Sequence, residues 1–144
     1  MGAFVLYPAG SRRERKEKIT SRLTEAGFAV SHELTGAFGA VTLFDPLQGG
    51  RESYYEAENG DFIFCVGSFL YRGKGGHEAL RLMLADFNPE TFNWSGTRGI
   101  YTVGVFRQGK LTLFTDGLGA SKIYTDRDHG VFSSAFFAVV CHAA

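Results

Sequence analysis

Few side chains in this 144-residue sequence have both the type and the spacing that chemistry demands. Cys65 and Cys141 are the only thiols. Neither belongs to a CxxC or CxxH cluster, which disfavours zinc and iron–sulfur sites. Cys65 lies inside the apolar run of residues 62–66, where a thiol is by default buried and inert. Cys141 has His142 beside it, but adjacent helical residues point in different directions and make no dyad. His32, His77, His129 and His142 are scattered, none four residues from another, so no helix face reads as a metal site. Ser133-Ser134 lacks a GxSxG elbow. Gly117-Leu118-Gly119-Ala120-Ser121-Lys122 resembles a phosphate loop only superficially, because a strand rather than a helix is expected to follow it. Arg72-Gly73-Lys74-Gly75-Gly76 combines two cations with three glycines ahead of a helix, the makings of an anion nest. Its default reading is a flexible connector.

The elements that must position these residues are read from periodicity and breakers. Residues 3–7 form an apolar run stopped by Pro8 and Gly10, a buried strand. Ser11-Arg12-Arg13-Glu14 has the pattern of a capping box. Ile19, Leu23 and Ala26 then give a narrow apolar stripe, and Gly27 a stop, predicting a helix over 12–26. The basic cluster from Arg12 to Lys18, interleaved with Glu14 and Glu17, reads as a solvated outer face. Strands are expected at 28–30, 37–44, 53–56 and 62–66. Turns are expected at Gly49-Gly50 and Asn59-Gly60, with Gly67 ending the last strand. A second helix spans 77–87 and closes at Asn88-Pro89. Residues 100–106 and 111–115 form a hairpin, Asp116 to Gly119 a turn, and 122–125 and 131–133 short strands. Ser133 or Ser134 caps a last helix from Ala135 onward.

Composition bounds the class. One domain's worth of chain carries 44% hydrophobic and 21% charged residues, an ordinary globular balance. Fifteen basic residues offset fifteen acidic ones, which argues against a nucleic-acid partner dependent on phosphate neutralisation. Fourteen Phe with nineteen Gly and only three Pro point to packed β-sheets with tight turns. The first eight residues do not read as a signal peptide, and no run reaches the ~18 apolar residues of a membrane span. With just two cysteines, a reducing, cytoplasmic compartment is expected.

From Gly60 onward the sequence is similar to a known family. Residues 61–71, Asp-Phe-Ile-Phe-Cys-Val-Gly-Ser-Phe-Leu-Tyr, resemble the strand and "NGEIYN" turn of class II glutamine amidotransferases of the asparagine-synthetase type. Residues 99–106 resemble the family's "G-x-F-A-F-A-x-x-D" strand, residues 113–124 its "R-D-x-x-G-x-x-P-L-Y" block, and residues 131–135 its "F-A-S-E" strand end. Asp45 fits the Asp that closes "R-L-S-I-I-D", and Gly2-Ala3-Phe4 fits the opening "C-G-I-F". The block from Asp116 to Tyr124 is the most specific match. The resemblance implies an α+β fold of N-terminal-nucleophile hydrolase type, a four-layer αββα sandwich of two antiparallel sheets, in one domain over residues 1–144.

The chemistry the resemblance implies is glutamine hydrolysis. In the family an N-terminal Cys attacks the side-chain amide, with the chain's own α-amino group, of pKa about 7.7–8.0, as base. An Asn side chain and a Gly backbone N–H hold the oxyanion. An Arg takes the substrate carboxylate and an Asp its ammonium. Matched position by position, the nucleophile falls on Met1, with Gly2 next. The Arg falls on Ala40, the oxyanion Asn on Val66, and the ammonium-binding Asp on or near Gly76. Only Gly67 is kept. Val66 in place of Asn alone would remove a donor worth about 2.7–4 kcal/mol of transition-state stabilisation.

The expectation is therefore a noncatalytic amidotransferase-like domain, a pseudoenzyme with no cofactor and no metal. It is expected to pack against an ATP-dependent, amide-forming biosynthetic enzyme of asparagine-synthetase type. The family pattern usually continues beyond the "SSAFF" segment, so the expected form is a fragment or one of two chains, and open sheet edges would favour a partner or a homo-oligomer. Two alternatives stand beside it. One is an active glutaminase supplying ammonia to such a synthetase. The other is a stand-alone domain binding a small molecule or peptide in the vacated pocket near Gly2, Val66 and Gly76.

Overall fold

The computed structural model describes residues 2–46 and 53–143, the side chains of 46 and 141–143 apart. Met1, the Gly49-Gly50 turn and the side chains of Cys141 and His142 lie outside the described residues. The elements in chain order are β1 (Ala3–Pro8), α1 (Arg13–Glu25), β2 (Phe28–Gly36), β3 (Gly39–Pro46), β4 (Tyr54–Glu56), β5 (Phe62–Tyr71), β6 (Lys74–Gly75), α2 (Gly76–Asp86), β7 (Thr97–Arg107), β8 (Lys110–Thr115), β9 (Tyr124–Thr125), β10 (Phe132–Ser133) and α3 (Phe136–Ala143). A single 3-10 turn, Trp94–Gly96, precedes β7. The fold is α+β with two antiparallel sheets. The sheets belong to two compact units, residues 1–50 with 123–144, and residues 51–122. Among the described residues no helix is long and apolar enough to cross a membrane.

In the first unit the strand order is β2-β3-β1-β10-β9. β1 is central, paired with β3 from Ala3↔Phe44 to Pro8↔Gly39 and with β10 at Val5↔Ser133. Its residues 3–7 are all buried, as a run apolar on both faces requires. Ala3, Val5 and Tyr7 pack with Ile19 and Leu23 of α1 and with Ala138 and Val139 of α3. Two readings are corrected here. Ser11 is no cap: its hydroxyl donates to the Pro8 carbonyl at 2.6 Å, and α1 starts after Arg12, whose side chain makes no cap bond. β2 extends to Gly36 through the mostly polar residues 31–36, in which Leu34 alone is buried, because pairing with β3 supplies what composition does not. Of the predicted stripe on α1, Ile19 and Leu23 are buried but Ala26 is exposed at the helix end.

In the second unit the order is β4-β5-β7-β8, with β6 folded back on β5. Ile63, Cys65, Phe69 and Tyr71 of β5 alternate onto one face, where they join Tyr101, Val103 and Val105 of β7 and Ala79, Leu80, Met83 and Leu84 of α2. Phe62, Phe64 and Val66 point to the opposite face and are also buried. Gly67 does not end the strand. Its φ of +106° lets β5 run on to Tyr71, and a Cβ there would overlap the Ile100 carbonyl oxygen of β7. Nor is the 72–76 stretch a loose loop. Arg72 and Gly73 both have positive φ, as a primed two-residue hairpin turn demands, and Lys74-Gly75 returns as β6.

Candidate functional site

Gly67, matched in the sequence to the glycine of the oxyanion motif, lies at a gap in its sheet. On one edge of β5 the strand β4 lies alongside as far as Cys65, whose backbone N–H donates to the Ser53 carbonyl at 2.7 Å. β6 takes over at Leu70. Among the described residues, those between are flanked by a strand on the β7 side only. A cavity of about 370 Å³ opens there, lined by Ser53, Cys65, Gly67 to Leu70, Gly75, Gly76 and Leu80. Gly76 enters it as the first residue of α2, with φ +60° and open space where a side chain would stand. Gly67 and Gly76 are thus brought together. Val66 is not, because strand alternation turns its side chain to the other face of the sheet, away from the helix.

The lining decides what chemistry is on offer. Its thiol, Cys65, is 7% exposed and packs in the α2-facing core. Burial pushes that thiol up to about 12, so essentially none is thiolate at neutral pH. The other side chains are hydroxyl or apolar. Gly2 and Ala40 lie in the first unit. A Cβ at Gly2 would stand 2.7 Å from the Phe44 carbonyl oxygen, and Ala40 is buried in β3 between Tyr7 and Thr35 in register. Among the described residues no group of three His, Cys, Asp or Glu could hold a metal ion.

The block from Asp116 onward is a built turn rather than a reactive one. The Asp116 carboxylate accepts N–H bonds from Ser121 at 2.8 Å, Ala120 at 3.0 Å and Leu118 at 3.2 Å. The Ser121 N–H first, with those of Ala120 and Leu118, holds the carboxyl below its ordinary range against the opposing pull of burial. The turn's stability is therefore present above about pH 4 and is lost as pH falls through the lower folded value. Ser121 also shares a 2.6 Å hydroxyl contact with Thr102.

Sequence reasoning missed a second cavity in the same unit, of about 560 Å³, lined by Trp94, Thr97 to Gly99, Tyr101 and Thr115 to Leu118. The sole tryptophan was the available signal. The chain matches no protein-family model, no curated protein and no solved structure.

Proposed function

We propose that this chain is a noncatalytic domain of the class II glutamine amidotransferase type, an interaction module for an ATP-dependent amide-forming enzyme of asparagine-synthetase type. In this reading the two antiparallel sheets are the inner layers of a four-layer αββα sandwich. Its support is that each unit has a helix-covered sheet face together with a second run of buried apolar side chains, such as Phe4 and Leu6 in β1 and Phe62 and Phe64 in β5. The observation that carries the functional reading is the cavity beside Gly67 and Gly76. It is lined by Gly67, the residue matched to the glycine of the resembled oxyanion motif, but its lining offers a protonated buried thiol and hydroxyls where that chemistry needs an activated nucleophile.

The test is glutamate release from glutamine by the purified chain. No rate above buffer is expected. A rate abolished by Cys65→Ser would establish an active glutaminase instead. The partner half is tested by mixing the chain with an adenylating synthetase domain and measuring complex mass in solution. A stable complex is expected. A second reading, a stand-alone binder, is favoured by the volume of the cavity, which falls in the range of small-molecule sites. A rise in Tm with an amino acid and no complex with the synthetase would select it.

A further inference from the structure

We propose that the Trp94–Leu118 cavity of the second unit binds an organic carboxylate bearing a flat apolar group. The site is distinct from the Gly67 cavity and does not depend on the reading given for it. Its anion-binding element is Arg98. Nη1 of Arg98 donates to the carbonyls of Ser95 at 2.7 Å and Thr97 at 2.8 Å, which fixes the plane of the guanidinium. Among the described residues Arg98 has no acidic partner, and its Nε and Nη2 make no hydrogen bond. A planar cation oriented by backbone, with N–H groups to spare, is matched to a carboxylate.

The apolar element is Trp94, 44% exposed although its indole packs edge-on against Phe92 and Phe114 at 4.8 and 4.6 Å. Leu118, 93% exposed on the turn that Asp116 holds, also lines the cavity. Both walls are braced before any ligand arrives. Thr97 Oγ1 donates to the Trp94 carbonyl at 2.8 Å and accepts the Tyr101 hydroxyl at 2.9 Å, while Asn93 Oδ1 accepts the Ser95 N–H. Asp116 also lines the cavity, but its carboxylate is engaged by three backbone N–H groups of its own turn. The ligand's charge is therefore assigned to Arg98, and pre-braced walls lower the ordering cost of binding.

Trp94 is the only tryptophan, so its fluorescence reports on this cavity alone. The probes are N-acetyl-L-phenylalanine, its uncharged amide, and a tetrapeptide ending in Phe. A saturable change in Trp94 emission is expected with the acid, with the amide weaker by about tenfold. Tighter binding of the tetrapeptide would identify a peptide C-terminus as the source of the carboxylate; equal or weaker binding would identify a free small acid. Arg98→Gln, checked for folding by circular dichroism, should erase the difference between acid and amide. Leu118→Ser, at an exposed position, should weaken both equally. No saturable change with either carboxylate, or equal affinity for acid and amide in the unaltered chain, would overturn the proposal.

Discussion

Tyr7 carries a hydroxyl at odds with its surroundings. The ring is buried under α1, with the Lys16 ammonium 5.5 Å from its centroid. Its hydroxyl makes no hydrogen bond of ordinary geometry, although the nearby Thr20 side chain opposes part of the burial effect. Burial nevertheless dominates and pushes the phenol up to about 12. Since the unfolded phenol titrates near 10, stability is intact below about pH 10 and falls as pH rises toward 12. Tyr7→Phe removes an unsatisfied buried group. It should raise stability by about 1 kcal/mol at neutral pH in urea unfolding and flatten the alkaline decline. Gly67 makes the opposite case. Gly67→Ala forces a Cβ into the Ile100 carbonyl at a backbone conformation foreign to alanine, and a loss of about 2 kcal/mol or more is expected in the same assay. Neither residue's difficulty is visible in the sequence. Tyr7 reads there as one more core aromatic and Gly67 as a strand terminator.

At the scale of elements, apolar runs and turn residues were legible and caps were not. Residues 3–7 and 62–66 are strands because no helix stripe fits them and both faces are apolar. The hairpin at Gln108-Gly109 follows from a glycine beside a residue that accepts positive φ, 54° and 77° in turn. The missing cap of α1 was not legible, because α1 begins at Arg13, one residue later than a Ser11 cap requires, and the Ser11 hydroxyl is turned to the Pro8 carbonyl. That leaves Arg12, in extended conformation, at the N-cap of a 13-residue helix. Arg12→Asp should raise stability by about 1 kcal/mol by giving the first-turn N–H groups an acceptor, read as a higher urea midpoint at unchanged slope. The gap between β4 and β6 belongs to this scale too. It depends on where two short strands stop, and element boundaries are set by pairing more than by composition.

At the scale of the whole molecule, the first unit is closed by the two ends of the described chain. Ser133 Oγ donates to the Phe4 carbonyl at 2.6 Å and accepts the Ala135 N–H at 2.9 Å, while Ser134 Oγ accepts the Phe4 N–H at 3.1 Å. Arg15 of α1 donates to the Gly130 carbonyl at 2.8 Å. Ser133→Ala would remove one of the bonds to the buried Phe4 carbonyl, which keeps the Ser134 N–H at 3.4 Å, and would take away the side-chain acceptor of the Ala135 N–H. A loss of about 2 kcal/mol is expected, measured by urea unfolding and accompanied by earlier hydrogen exchange in β1 than in β7. Ser133 was read as a cap candidate, a role its bond to the N–H just ahead of α3 partly fills; its tie to a residue 129 positions away could not be read. Residue order alone was enough to settle the abundance of strand, the approximate places of α1 and α2, the turn at Asp116 and the burial of Cys65. Those features follow from neighbours along the chain and from the chemistry of single side chains. Folding alone settled that Gly67 shares a cavity with Gly76 but not with the side chain of Val66, and that Trp94 and Arg98 share one with Leu118. The first grouping needs the β5–β6 hairpin and the sheet's alternation of faces, and the second joins segments about twenty residues apart through the pairing of β7 with β8.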